Sequence, residues 1–311
     1  MVHGGKVHVL GCGAIGLTLA AHLASEGRSA VAVRTGREDV APGVMEVTIH
    51  APRGMLKIAV ETVSLARLEK LEGITVVSAK SHANRAIAAA LAAREAGGPL
   101  VIMQNGIGVE NAFAGLAFTP VYRCVLYTTA QLISGSEVTF RPVASSPIGV
   151  IQGTKSGLEG VVRVLATGGF PFHAERDIGR EVWKKTIINA VFNSICPLLD
   201  ADNGIFARDE SARALAREIA AECAALAQSR GIALGEPEVM EQIERISKGS
   251  AGVLISTLQD IKNGRETEME YLNLELARLA ALAQPEIELR KTALLGKLLL
   301  LKSKYAAGVI L

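Results

Sequence analysis

The strongest constraint on the fold lies in the first twenty-five residues. Lys6-Val-His-Val-Leu10 is a short β-branched and apolar run of the kind that fills a buried parallel strand. It leads directly into Gly11-Cys12-Gly13-Ala14-Ile15-Gly16, and then into Leu17 to Ser25, an Ala/Leu-rich segment with helical spacing. A strand, a G-x-G-x-x-G turn and a helix in that order point to a dinucleotide site at the start of a doubly wound α/β domain. Gly11 permits the tight turn, Gly13 lets the backbone approach a pyrophosphate at the helix N-terminus, and Gly16 allows the helix to pack closely on the strand. A glycine-rich βα turn without a ligand is the bland alternative.

A second strand, Ser29-Ala-Val-Ala-Val33, ends in Arg34-Thr-Gly-Arg37. An acidic residue at this point would accept hydrogen bonds from a ribose, whereas a guanidinium matches a 2′-phosphate. Arg34 therefore favours NADPH over NADH, with Glu38 and Asp39 close enough to keep the other reading open.

The alternation then continues. Ile74 to Ser78 reads as a strand ending at Lys80, His82 to Glu95 as a helix, and Leu100 to Met103 as a strand running into Gln104-Asn105-Gly106. Ligands in open α/β sheets lie at the carboxyl ends of strands, so Lys80 and Asn105 are expected beside the same cofactor as Gly13. Between Thr119 and Gly153 the pattern turns strand-rich, with candidates that extend the sheet by antiparallel strands. From Ile178 onward it is almost wholly helical, apart from turns at Asp200 to Gly204 and Gly231 to Glu238. The expected division is a Rossmann-type domain over 1–175 and an all-helical domain over 176–311.

Composition excludes several functions. Across 311 residues, 33 Lys and Arg against 31 Asp and Glu leave a formal charge of +2, which recommends neither nucleic acid nor an anionic membrane as a bulk partner. Cys12, Cys124, Cys196 and Cys223 are scattered without metal-ligand spacing and read as reduced thiols of a cytoplasmic protein. Apolar runs stop short of a membrane span, and the glycines interrupt anything like a signal peptide.

In the helical half, Trp183-Lys-Lys-Thr-Ile-Ile-Asn-Ala-Val-Phe-Asn193 places Lys185, Asn189 and Asn193 four residues apart on one helical face. Such groups are costly in an apolar helix unless each finds a partner, so the face is expected to line a polar cleft. Ser256-Thr-Leu-Gln-Asp260 and Arg265-Glu-Thr-Glu268 form a second polar segment, for which composition alone favours a solvated surface helix.

The glycine motif, Lys80, Gln104-Asn105-Gly106, W-x-K-x-x-x-N-x-x-x-N from Trp183 to Asn193, and Ser256 twelve residues before Glu268 together resemble ketopantoate reductase (2-dehydropantoate 2-reductase). The resemblance runs from residue 6 to about 275. It implies an N-terminal Rossmann domain, a helical C-terminal domain and NADPH-dependent reduction of a 2-keto acid to its 2-hydroxy acid, without a metal. It further implies Lys185 as catalytic lysine, Glu268 as its acidic partner, and Asn189, Asn193 and Ser256 as substrate contacts, with Asp260 in support. Arg34, Lys80 and Asn105 would join residues 11–16 as cofactor contacts.

Where the family pattern continues after Asn193 with proline and then threonine, this chain has Ser194 and Cys196. That leaves the identity of the keto acid open more than the reaction type. Beside the reductase stand two other readings: an NADPH-binding sensor without turnover, and a related two-domain dehydrogenase. The apolar C-terminal helices are compatible with internal packing or with a homodimer.

Overall fold

The computed structural model describes residues 5–36, 40–52 and 54–308; Arg37, Glu38 and Asp39 lie outside them. The chain divides into two compact units. One holds the chain through Gln104 together with Val109–Ile178, and the other holds Asn105–Gly108 and Gly179–Leu311.

In the first unit β1 (Val7–Leu10) leads into α1 (Ala14–Ser25) and β2 (Ala30–Arg34), followed by a hairpin of β3 (Gly43–Ala51) and β4 (Gly54–Ser64). Then come β5 (Lys70–Leu71), β6 (Ile74–Val77), α2 (Asn84–Ala92), β7 (Glu95–Ala96), β8 (Gly98–Ile102) and β9 (Phe118–Cys124). β10 (Thr128–Leu132), β11 (Glu137–Pro142), β12 (Ser146–Gln152), α3 (Leu158–Leu165) and β13 (Phe172–Ala174) complete it.

Among the described residues the main sheet has the order β10-β11-β3-β4-β2-β1-β6-β8-β9-β12-β13. The run from β4 to β9 is parallel throughout, and strand order reverses at β1, which is the doubly wound arrangement. β1 is buried at every position, as a central parallel strand must be when both faces are covered.

The strand-rich stretch expected as an antiparallel extension is split between the two edges. β9 continues the parallel run, β12 pairs antiparallel with it, and β10 and β11 join the opposite edge beside β3. The β3–β4 hairpin is an addition to the sequence reading. Its strands bury Val47, Ile49 and Val60 but leave Val44 and Met55 exposed, so they lack the continuous apolar run that marks a central strand. One core packs α1 and α3 against the sheet, with Phe140, Phe170 and Phe172 in ring contact.

The second unit is helical: α4 (Ile178–Leu198, its first residue contributed by the first unit), α5 (Ile205–Arg208), α6 (Glu210–Ser229), α7 (Glu236–Gly249), α8 (Ser256–Lys262), α9 (Asn273–Ala281) and α10 (Arg290–Ala306). Its core gathers Ile187, Val191, Phe192 and Ile195 of α4 against Phe206, Ile219, Cys223 and Ile243. The start of α10 has no capping residue of its own. Instead the Glu222 carboxylate, from α6, accepts from the Lys291 and Thr292 amides at 3.0 and 2.9 Å and from Thr292 Oγ1 at 2.7 Å. A carboxylate placed there satisfies unpaired N–H donors and opposes the helix dipole. No described helix is long and apolar enough to cross a membrane.

His8 lies inside the sheet, 5 % exposed, with Nδ1 unpartnered among the described residues. Burial, aided by nearby Lys6, lowers its pKa from 6.5 to about 4. Because the unfolded chain binds this proton more readily than the folded one, the folded state loses stability as pH falls from the unfolded value toward the folded one. At pH 5 the loss is about 2 kcal/mol relative to neutral pH. Denaturant unfolding at pH 7.5 and pH 5 should show this drop in the wild-type chain and a smaller one in His8→Leu.

Candidate active site

Sterics dictate the turn between β1 and α1. Gly11 has φ +116°, and a Cβ there would lie 2.5 Å from the Ala79 nitrogen, at the end of β6. A Cβ on Gly16 would lie 1.9 Å from the Gly11 carbonyl oxygen and 2.5 Å from Ser78 Oγ. The Ser78 hydroxyl also donates toward the Leu10 and Gly11 carbonyls at 3.1 and 3.2 Å, tying the turn to the neighbouring strand end.

Gly13 differs from both. Its φ is −83°, a Cβ on it would meet no other described residue beyond its chain neighbours within 4 Å, and as N-cap it offers α1 no side-chain acceptor. The first-turn N–H groups of α1 have no side-chain cap at Gly13, the chemistry that suits a backbone-hugging anion. Cys12, Ala14 and Ile15 are half-buried around this turn. Burial raises the Cys12 thiol pKa, and the positive charge of Arg34 opposes that shift. Arg34, the last residue of β2, keeps its buried Nε without a partner among the described residues. A buried donor beside an open glycine turn fits the phosphate-bearing half of a dinucleotide.

Lys80 is half-buried in extended backbone just before a 3-10 turn at Ser81–Ala83. Gln104, by contrast, is spent on structure. Its amide exchanges hydrogen bonds with Asn84 at 2.6 and 2.9 Å and donates to the Ala79 carbonyl at 2.6 Å. Arg123, 2 % exposed, donates to the Gln104 carbonyl at 3.0 Å and pairs with Glu110. Asn84 and Arg123 carry no sequence signal, because their partners are distant in the chain.

In the second unit α4 carries Lys185, Asn189 and Asn193 on one face; the lysine is half-buried and the asparagines are buried. Desolvation lowers the Lys185 ammonium pKa from 10.5 to about 8. Asn105, expected beside the cofactor, belongs to this unit, where the Asn189 amide donates to its Oδ1 at 3.4 Å. Gly106 holds the same loop close to Tyr271: at φ +96° its Cβ would lie 2.3 Å from the Tyr271 carbonyl.

The second polar segment is not a solvated helix. Ser256 is exposed at the start of α8, but Thr257, Asp260, Thr267 and Glu268 are buried. Thr257 Oγ1 donates to Asn193 Oδ1 at 3.0 Å, which joins this segment to the polar face of α4. Asp260 pairs with Arg265 at 3.3 Å. Ser194 and Cys196 turn away from that face. Ser194 is fully buried and donates to the Ala190 carbonyl at 2.6 Å, and Cys196 is a core residue whose thiol burial pushes up to about 12.

Comparison with known proteins follows the same division. The ketopantoate reductase PanE/ApbA family matches residues 7–152, and its C-terminal counterpart, ketopantoate reductase PanE/ApbA C terminal, matches residues 177–296. A 2-dehydropantoate 2-reductase of Archaeoglobus fulgidus is 26 % identical over 271 residues, covering 86 % of this chain and 88 % of the relative. One from Pyrococcus abyssi is 26 % identical over 284 residues, covering 88 % and 91 %. The fold is shared with the PanE/ApbA family ketopantoate reductase of Ralstonia eutropha JMP134, at TM-score 0.81 and 21 % identity, covering 97 % of this chain and 99 % of that one. It is shared equally with a D-mandelate dehydrogenase in ternary complex with NADH and anilino(oxo)acetate, at TM-score 0.82 and 18 % identity over the same shares. Since the family matches extend over both units and most of its length, the chain belongs to the ketopantoate reductase family, a family of oxidoreductases.

Proposed function

We propose that this chain is an NADPH-dependent reductase of a 2-keto acid, with 2-dehydropantoate as substrate and pantoate as product, serving pantothenate and coenzyme A synthesis in the cytoplasm. The observation that carries the reading is Lys185, an ammonium weakened by desolvation on the same helix face as two asparagines. Among the described residues, the space at Gly13 and the Arg34 Nε without a partner support a phosphorylated dinucleotide on the first unit.

When bound, the reduced nicotinamide supplies hydride to the carbonyl carbon. Lys185 Nζ stabilises the negative charge that develops on the carbonyl oxygen and gives it a proton. Desolvation brings the lysine pKa down to about 8, so it yields that proton more readily than a solvated lysine. Glu268, buried in the same unit, orients the lysine and accepts from a substrate hydroxyl, while Asn189, Asn193 and Ser256 hold the acid. Arg34 contacts the 2′-phosphate, the 11–16 turn cradles the pyrophosphate, and Lys80 and Asn105 complete the cofactor contacts. The burial of Ser194 and Cys196 supports a substrate-facing surface unaffected by those two residues. The fold shared with a D-mandelate dehydrogenase bound to NADH places aryl keto acids and NADH in the test panel.

Oxidation of NADPH, followed by absorbance with 2-dehydropantoate and a panel of branched and aryl 2-keto acids, tests the proposal; no turnover with any of them would refute it. The Lys185→Ala variant should lose a factor of roughly 10² to 10⁴ in kcat/KM. Since the lysine must be protonated to act as acid, kcat/KM for reduction should be level below pH 8 and fall about tenfold per unit above it. Arg34→Ala should weaken NADPH relative to NADH, read from the two dissociation constants. The glycines should separate by calorimetry and cofactor titration. Gly13→Ala should unfold within about 0.5 kcal/mol of wild type yet bind NADPH poorly, whereas Gly16→Ala should lose several kcal/mol of stability.

A further inference from the structure

We propose that Thr257 is a positioning residue: its hydroxyl anchors one end of the buried Asn193 carboxamide, so that the other end, Nδ2, is held as a donor to an acceptor oxygen, carboxylate or keto, of a 2-keto acid. The inference rests on the function proposed above and assigns to one buried hydroxyl part of the substrate selection.

A carboxamide is a donor at one end and an acceptor at the other, and its two orientations have nearly the same shape. What an asparagine offers a ligand is therefore the end that its protein partner does not hold, which at Asn193 is Nδ2. Thr257 Oγ1 donates to Asn193 Oδ1 at 3.0 Å, between two side chains that are each 4 % exposed. In such surroundings the bond is electrostatically stronger than in water, and a mispaired amide is costly.

With Oδ1 engaged, Asn193 has its Nδ2 left over, and that nitrogen makes no bond among the described residues. Asn189 is held in the opposite sense. Its Nδ2 is directed at Asn105 Oδ1, which leaves its own Oδ1 as an acceptor. Lys185, Asn189 and Asn193 thus present a cation, an acceptor and a donor in sequence along one helix face. A donor and an ammonium on that face complement the oxygens of a 2-keto acid, and the acceptor between them complements a hydroxyl. Ser256, the neighbouring hydroxyl, is exposed and takes no part in this bond.

The test compares steady-state kinetics with NADPH and 2-dehydropantoate for the wild type, Thr257→Val, Thr257→Ser, Asn193→Ala and the Val/Ala double variant. Chemical unfolding of each reports that it is folded. Valine keeps the shape and removes the hydroxyl, so KM should rise about tenfold with kcat within about threefold, the signature of lost uniform binding. Serine keeps the donor and should restore KM to within about twofold of wild type. In the Asn193→Ala background the valine should raise KM no further.

A residue that only packed would lower stability and leave KM alone. Unchanged KM in Thr257→Val, equal impairment by valine and serine, or additive effects in the double variant would each overturn the proposal. A wild-type chain that turns over no 2-keto acid and gains no thermal stability from pantoate would sink both this inference and the function on which it rests. Turnover by the wild type with an insensitive valine variant would sink this inference alone.

Discussion

The approach of α1 to the turn before it is the contact on which the first unit depends. A side chain on Gly16 would occupy the space of the Gly11 carbonyl, and one on Gly11 would occupy the backbone at Ala79. Removing both lets β1, α1 and the end of β6 meet within backbone contact, so the carboxyl ends of two parallel strands and a helix N-terminus converge. The consequence is a helix start without a side-chain cap, where a Cβ on Gly13 would meet no described residue beyond its chain neighbours, and where Arg34 arrives from the next strand over. Sheet topology and the absence of three side chains shape that corner, with few dedicated polar groups.

The helical unit solves a different problem. Its polar residues are embedded in a helix whose other faces are core, and each must be satisfied without being neutralised as a chemical group. The asparagines do this by dividing their two ends, one end to a neighbouring side chain and one to the face they share with Lys185. The lysine is half-buried, and desolvation lowers its pKa from 10.5 to about 8. Glu222 at the start of α10 shows the same economy in a structural role, since one carboxylate serves three donors.

Much of this was legible in the chain. The strand–glycine–helix opening and the Arg34 that follows it carry local physics, because turns, strand ends and helix starts are fixed by near neighbours. The spacing of Lys185, Asn189 and Asn193 likewise shows on its own that they share a face. The β3–β4 hairpin was not legible, because its strands are partly exposed and alternate weakly. Nor was the burial of Asp260 and Glu268, whose composition suits a surface helix until neighbouring elements cover it.

The sequence by itself determined the class of each half, the glycine turn, the polar helix face and the family to which these residues point. Only the tertiary structure decided that Asn105 belongs with the helical unit, that Ser194 and Cys196 are core, and that Asn193 is held by Thr257. The reason is the range of the interactions. A backbone turn or a helical repeat is set within a few residues, whereas the hydroxyl that bonds the Asn193 amide lies 64 residues away and only folding brings it there.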